Sequence, residues 1–430
     1  MRAVAAIALV FAACGGGGGG GSNPDAHRGD AGSGGSAGDA ALVDAAPARP
    51  LLASGGVQVL VTGPAIGLQI TPADLGSDDD VLEIHQEFYG VPWDQFLAHQ
   101  APPAAWVAIM DGIAANARAT GKPVFLSVSM LNGGRDTLAA KTAVDGSGNV
   151  SATDDWAAHC YDFGSASDAA AIQQAYLDYV SWMIDEFGPQ WLNFAIEVNL
   201  FDEPCHAQFP ALVTAANATY AAIKAKQASI VAFPSFQIDH LYGVADGSCA
   251  GSDQAACFDA NYADISTMTR DRFAMSSYAI NLGGMTVASL PADWFSRGAA
   301  RAGEREIIAE TGTNSTPVVI DDPNAGCEQL ISGDEPTAAA YLSRVLGDAY
   351  AQHIEVVNWW SDRDLVVQQV MTDCPCTFDQ TWCAVVAAFR GTDPATEDFG
   401  ELALKAFGTM GLRAYDGTPK SLLATWQAAR

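Results

Sequence analysis

Glu306-Ile307-Ile308-Ala309-Glu310-Thr311-Gly312 is the stretch on which the fold turns. Its apolar run is too short for a helix, and Thr-Gly ends it, so it reads as a buried strand that carries Glu310 to its C-terminal end. Working outward, short apolar runs of the same kind recur at Ala65–Ile70, Val81–His85, Val124–Val128, Leu192–Glu197, Ser229–Phe233, Arg272–Ser276 and Glu355–Trp359. Longer amphipathic stretches separate them. In Ala169–Phe187, Ile172, Tyr176, Tyr179, Val180, Met183 and Phe187 fall at three- and four-residue spacing, one apolar stripe of a helix. Ala211–Gln227 and Thr337–Gln352 read similarly. Alternating strands and helices imply a parallel sheet with crossover helices, and eight such strands in one large α/β domain imply a closed (β/α)8 TIM barrel. An open doubly wound sheet is the alternative, but no Gly-rich phosphate loop follows the first strand. No cofactor is expected.

A barrel builds its active site from the C-terminal ends of its strands. Here those ends carry Gln69, His85, Ser129 to Asn132, Glu197, Gln237, Tyr278, Glu310 and the pair Trp359-Trp360. The collection is polar, acidic and aromatic, the composition of a sugar-binding cleft. Glu197 and Glu310 each follow an apolar run, and a carboxylate so placed is costly without a partner or a task.

Taken with their neighbours, these two glutamates resemble those of clan A of the glycoside hydrolases. The carrying residues are Ile307-Ile308-Ala309-Glu310-Thr311-Gly312, similar to the clan's seventh strand, and Phe273-Ala274-Met275-Ser276-Ser277-Tyr278, similar to its sixth. Val356-Val357-Asn358-Trp359-Trp360 resembles its eighth. The resemblance runs from about Ala65 to the C-terminus. Lys122-Pro123-Val124-Phe125-Leu126-Ser127 and the order of motifs loosely resemble the arabinogalactan endo-β-1,4-galactanase family. The clan resemblance implies a retaining glycosidase with Glu197 as acid/base and Glu310 as nucleophile. It also implies that Tyr278 bonds the nucleophile and that Trp359 is a platform for a sugar ring, with Trp360 packing among the helices. Hydroxyl-binding roles fall to His85, Asn132 and Gln237. One departure stands out: where the clan has Asn before the acid/base, this chain has Ile196, with Asn193 and Asn199 nearby. Either Asn199 supplies the missing hydrogen bond or a different contact does. In retaining hydrolysis the two carboxyl groups sit about 5–5.5 Å apart, and an inverting enzyme holds them further apart. A non-catalytic carbohydrate-binding protein on a degenerate barrel is the reading from another class.

The rest of the chain concerns location. Residues 1–13 read as an export signal, with Arg2 before the apolar stretch Ala3 to Val10. Cys14 resembles the lipid-modified cysteine of bacterial lipoproteins. Residues 14–50, with an unbroken glycine run from Gly15 to Gly21, read as a flexible tether. The expected catalytic domain is 51–430, exported and anchored at the bacterial surface or outer membrane through lipid alone, otherwise secreted; a monomer is expected. With 50 acidic against 21 basic residues the net charge is −29, which disfavours nucleic acid, anionic membranes and polyanionic substrates. A neutral carbohydrate fits best. Beyond Cys14 there are eight cysteines, an even number that suggests disulfides in an exported chain. Cys249 with Cys257 is the simplest local pair. Cys374, Cys376 and Cys383 match no standard zinc spacing, so no metal is expected. Asp78-Asp79-Asp80 lacks the spaced ligands of a calcium loop and reads as a solvated, helix-capping run.

Overall fold

The computed structural model describes residues 49–54, 77–153, 156–245, 247–249, 253–281, 283–322, 326–390 and 397–430. Eight parallel strands form a barrel: β1 (Leu51–Ala53), β2 (Leu82–Gln86), β3 (Val124–Val128), β4 (Trp191–Ala195), β5 (Val231–Gln237), β6 (Phe273–Ser277), β7 (Glu306–Thr311) and β8 (Val356–Trp359). Each strand lies beside its neighbours in sequence, and β8 returns to pair with β1. The ring closes where the Leu52 carbonyl accepts from Asp80 N and Val81 N at 2.8 and 3.1 Å. The (β/α)8 fold expected from the sequence is the fold observed. β3 and the helix Ala169–Phe187 have the anticipated boundaries, and other elements shift by one to four residues. The expected first strand, Ala65–Ile70, lies outside the described residues, as do Cys14, Gln69, the export signal and most of the tether. The first barrel strand is instead Leu51–Ala53.

Strand alternation divides the core into two layers. Phe125, Trp191, Phe233, Ile307, Ala309 and Val356 fill the barrel interior. Leu82, Leu126, Leu192, Met275, Ile308 and Val357 face outward against the helices. The Ala169–Phe187 helix buries Ile172, Tyr176, Tyr179, Val180 and Met183 against this outer layer. Each such side chain contributes about 1.5–3 kcal/mol.

The register breaks in β7. Met275 and Ser276 of β6 face Ile308 and Glu310, and Val357 and Trp359 of β8 face Ile308 and Thr311. Both neighbours therefore meet one extra residue in β7 beyond Ile308, a bulge that changes which way the next side chains point. Strict alternation from inward Ala309 would send Glu310 out among the helices. The bulge sends it into the barrel mouth.

Four disulfides are present: Cys160–Cys205, Cys249–Cys257, Cys327–Cys374 and Cys376–Cys383. Cys249–Cys257 is the pair expected from the sequence. Cys160–Cys205 ties the loop after β3 to the loop after β4. Cys327–Cys374 ties a hairpin after β7 (Val318–Asp322 with Gly326–Ile331) to the segment after β8. The Asp78-Asp79-Asp80 run is not a solvated helix cap. Asp79 accepts from Ser54 N and Oγ, Asp78 pairs with Arg413, and Asp80 pairs with Arg49, so the run fastens the closing seam. Among the described residues no helix is long and apolar enough to cross a membrane.

Candidate active site

The residues at the mouth are positioned mainly by strand ends. On β2, alternation turns Glu83 and His85 inward while Leu82 and Ile84 face the helices. The His85 ring is held edge-on to Trp360, centroids 5.2 Å apart. Its Nε2 lies 2.9 Å from Glu87 Oε2, and its Nδ1 lies 3.7 Å from Glu310 Oε1 and 3.8 Å from Glu83 Oε1. Burial alone would lower the His85 pKa. The Glu87 hydrogen bond and the charges of Glu310, Glu87 and Glu83 outweigh it and carry the pKa up to about 9.

Arg135 enters from the loop after β3. Its guanidinium forks onto both Glu87 oxygens and stands 3.7 Å from Glu197 Oε2. Glu87 would be raised by burial, but the Arg135 charge and the His85 bond bring it down to about 2. Asn132 organises this loop: its side chain bonds Asp136 at both ends, and its carbonyl accepts from Arg135 at 2.9 Å. The amide expected to bind sugar is therefore committed to a turn, and Asn132 acts here by holding Arg135.

Glu197 follows β4 in a left-handed conformation, φ 48°. Its N–H donates to Ser235 Oγ at 3.0 Å, and the same hydroxyl accepts from Asn193 Nδ2. Alternation from inward-facing Trp191 would also turn position 197 inward, but the register of β4 shifts between Asn193 and Ala195, and the left-handed turn with the Asn193–Ser235 pair sets where the glutamate sits. Ile196 is fully buried. Asn199 does not replace the clan's asparagine. Its Oδ1 accepts from Gln237 N at 2.8 Å and its Nδ2 donates to Gln237 O at 3.1 Å, which locks the loop after β4 to β5. Gln237 itself is buried at the end of β5.

Glu310 Oε2 accepts from the Tyr278 hydroxyl at 3.1 Å, as the sixth-strand motif implied. Burial raises the Glu310 pKa above the usual carboxylate range. His85 opposes that rise, and the charges of Glu197 and Glu83 add to it. Burial also raises Glu197, against the pull of Arg135. Two buried, mutually repelling carboxyls of this kind retain a proton where an exposed pair has lost both.

The tryptophan assignment is reversed. Trp359 faces outward: it sits among helix residues, its ring tilted against Tyr341, and its Nε1 donates to the Met410 carbonyl at 2.9 Å. Trp360 is the one beside His85, packed with Tyr278 and Phe407. Glu310 Oε1, His85 Nδ1 and Trp360 Nε1 are buried with no hydrogen-bond partner among the described residues. Buried polar atoms seldom go unmatched, and three in one cluster mark a place prepared for a ligand.

Glu197, Glu310, Tyr278 and His85, singled out in the sequence, lie together at the mouth; Glu83, Glu87 and Arg135 lie with them and were not singled out. Glu83 and Glu87 flank His85 by two residues on either side, a signal that period-two alternation could have supplied. No such signal marks Arg135.

No protein-family model and no curated protein matches this sequence. Solved structures do resemble it. A GH5_18 protein from Streptomyces cattleya, solved with Manb1-4GlcNAc, has a TM-score of 0.53 at 13% identity, covering 89% of this chain and 80% of its own. A GH5_18 protein from Bifidobacterium longum subsp. infantis gives 0.52 at 13%, covering 89% and 78%. An exo-beta-1,4-mannosidase from an Opitutaceae bacterium gives 0.53 at 13%; the match covers 90% of this chain and 60% of that enzyme. At such identity the likeness establishes a shared barrel.

Proposed function

We propose that this chain is a retaining glycosidase of clan A type that hydrolyses β-linked neutral oligosaccharides or polysaccharides, with Glu310 as nucleophile and Glu197 as acid/base. The observation that carries the reading is the pair itself. One carboxyl just beyond β4 and one at the end of β7 are raised by burial within one charge cluster, and Glu310 Oε1 has no hydrogen-bond partner among the described residues. In the first step the Glu310 carboxylate attacks the anomeric carbon. The glycosidic C–O bond breaks, and the Glu197 proton passes to the leaving oxygen. In the second step Glu197, now a carboxylate, takes a proton from water. The water oxygen bonds the anomeric carbon, and Glu310 departs ionised.

Protonated His85 and the Tyr278 hydroxyl favour the ionised form of Glu310, the state its attack requires. Arg135 and His85 are both already engaged by glutamates, so a uronate would meet carboxylates here without a cation to receive it. β-Mannosides are the first substrates to test, because two of the structural neighbours are described with mannose-containing ligands or activity. Four disulfides support an exported location, and Cys14 as a lipid anchor belongs to the same proposal.

The test is a panel of neutral glycans and aryl β-glycosides against the wild type and Glu310→Ala. Turnover by the wild type that is lost in the variant, with the thermal transition retained, supports the assignment. Full activity in the variant removes it. A wild type that binds glycans and cleaves none leaves the non-catalytic binder.

A further inference from the structure

Both cations at the barrel mouth converge on a carboxylate that stands outside the proposed pair. Glu87 Oε2 lies 2.9 Å from His85 Nε2 and accepts from Arg135 Nη2 at 3.2 Å, and Glu87 Oε1 accepts from Arg135 Nη1. Beyond each cation stands a glutamate of the pair. His85 Nδ1 is 3.7 Å from Glu310 Oε1, and Arg135 Nη2 is 3.7 Å from Glu197 Oε2. Glu310, His85, Glu87, Arg135 and Glu197 thus form a row of alternating charge with Glu87 at its centre. The two outer links are Coulomb contacts, too long for hydrogen bonds.

That distance matters most at Glu197. A guanidinium that forks onto a carboxylate makes two charge-assisted hydrogen bonds and holds it ionised. An acid/base carboxyl has to carry a proton when the leaving oxygen takes it. Here the fork is spent on Glu87, and Glu197 meets only the side of the guanidinium. Burial raises the Glu197 pKa, the Arg135 charge lowers it, and the Glu87 charge raises it again.

Glu87 is itself held in place. It follows directly on β2, and its carbonyl accepts from Gly90 N at 3.0 Å. Gly90 has φ 63°, and a Cβ there would stand 2.7 Å from the Ala140 carbonyl, so the turn needs glycine. Arg135 Nη1 also donates to the Asn132 carbonyl at 2.9 Å.

The other ionisable groups around this row come from several elements. Glu310 of β7, Tyr278 beyond β6 and Asp239 beyond β5 face Glu197, and Glu83 of β2 faces His85 and Glu310. Tyr176 and Tyr179 of the Ala169–Phe187 helix face Glu87 and are kept neutral by burial. None of these is a cation. His85 adds a smaller pull on Glu197 of the same sign as that of Arg135.

We propose that Glu87 is a positioning residue for the acid/base: it keeps the Arg135 fork on its own carboxylate and so leaves Glu197 able to hold the proton that the leaving oxygen takes. This rests on the glycosidase reading for the use of the proton, not for where the proton sits. The test is an NMR titration of the Glu197 carboxyl carbon in the full chain labelled at its glutamates, the signal being the one absent from Glu197→Gln. Beside it, kcat/KM for a β-1,4-linked mannose disaccharide is followed over the same pH range.

In Glu87→Gln the released fork turns to Glu197. The Glu197 titration and the alkaline limb of kcat/KM both move down by about one pH unit, a loss of roughly tenfold on the alkaline side. In Glu87→Gln/Arg135→Ala the intruding charge is gone, and both return at least to their wild-type positions. A titration unmoved in Glu87→Gln overturns the proposal. So does a double variant that titrates like Glu87→Gln, because the charge acting on Glu197 is then not Arg135. Should Glu87→Gln fail to fold, Glu87→Asp replaces it: the shorter side chain keeps the charge and loosens the fork, and a titration that does not move down has the same force. A wild type that cleaves no glycan removes the glycosidase reading, and the titration, which needs no substrate, still decides what Glu87 does.

Discussion

The Tyr278 hydroxyl donates to Glu310 Oε2 at 3.1 Å, from the loop just beyond β6 to the last turn-in of β7. Two devices make that bond possible. The bulge beyond Ile308 turns Glu310 into the barrel mouth. The Asp239 carboxylate, from the segment after β5, holds the end of β6 by accepting from Ser277 Oγ at 2.7 Å and Tyr278 N at 2.5 Å.

Tyr278→Phe is the direct test of this bond. The ring keeps its edge-on packing against Phe407, so the fold is retained. Losing a hydrogen bond to a charged group, worth about 1.5–3 kcal/mol, should lower kcat/KM by about ten- to one-hundredfold. The acid limb of the pH profile should also move to higher pH, because the ionised form of Glu310 loses a donor. An unchanged limb would leave the hydroxyl with no part in tuning the carboxyl.

The two glutamates should separate by chemical rescue. Glu197→Ala lacks the proton donor and later the base. An aryl β-mannoside with a good leaving group needs no donor, and added azide needs no base. Azide should therefore restore turnover and yield a glycosyl azide of retained configuration, identified by NMR. Glu310→Ala should not be restored to a retained product. An inverted azide from Glu197→Ala would reverse the roles of the pair.

Arg135→Ala should be costly to stability whatever the substrate. It leaves part-buried Glu87 with His85 as its remaining cation and removes the Arg135 charge beside Glu197. Because His85 still compensates Glu87, the loss should fall below the ~3–5 kcal/mol of a fully orphaned buried charge, read as a fall in denaturation midpoint. Glu87→Gln in the same background should recover part of it, since the under-compensated carboxylate is then gone.

The barrel and half of this cluster were legible in the sequence, for a physical reason. Buried parallel strands announce themselves as short apolar runs, and a glutamate at the end of such a run is conspicuous. What was not legible depended on register and on loops. β1 has only three residues, too few to show a pattern. The turn of Trp360 toward His85 follows from Val356 facing inward and Val357 outward, a parity that the sequence of one strand does not carry. Arg135 lies in a turn held by Asn132 and has positive φ, so no run of residues points to it. Asn199 looked free to meet a sugar because its bonds to Gln237 cross from one strand end to the next.

His85 should give a pH signature in stability. Its folded pKa, about 9, lies above the ordinary 6.5, so its stabilising contribution is complete below pH 6.5 and is lost as pH rises through 9. Buried Glu306, raised by burial to about 8, loses stability over an overlapping range, so the difference between proteins is the useful quantity. The denaturation free energy of wild type minus that of His85→Gln should fall between pH 6.5 and 9 and stay level below it. A flat difference across that window would mean that the imidazole is neutral in the folded state.

The adjacent tryptophans offer the sharpest contrast. Trp359 Nε1 donates to the Met410 carbonyl, and Trp360 Nε1 is buried without a hydrogen-bond partner among the described residues. Trp359→Phe should leave that carbonyl unpaired and cost about 1–3 kcal/mol of stability, with kcat/KM of the folded enzyme little changed. Trp360→Phe keeps most of the apolar contact with Phe407 and discards an N–H that the free protein does not use. Its denaturation midpoint should stay near wild type while KM rises, because the donor is missing only when substrate is bound. If Trp359→Phe raised KM and Trp360→Phe unfolded the protein, the platform would return to Trp359 and the inward parity assigned to β8 would be wrong. Side by side, the two variants separate a residue that holds the barrel to its helices from one that faces the ligand.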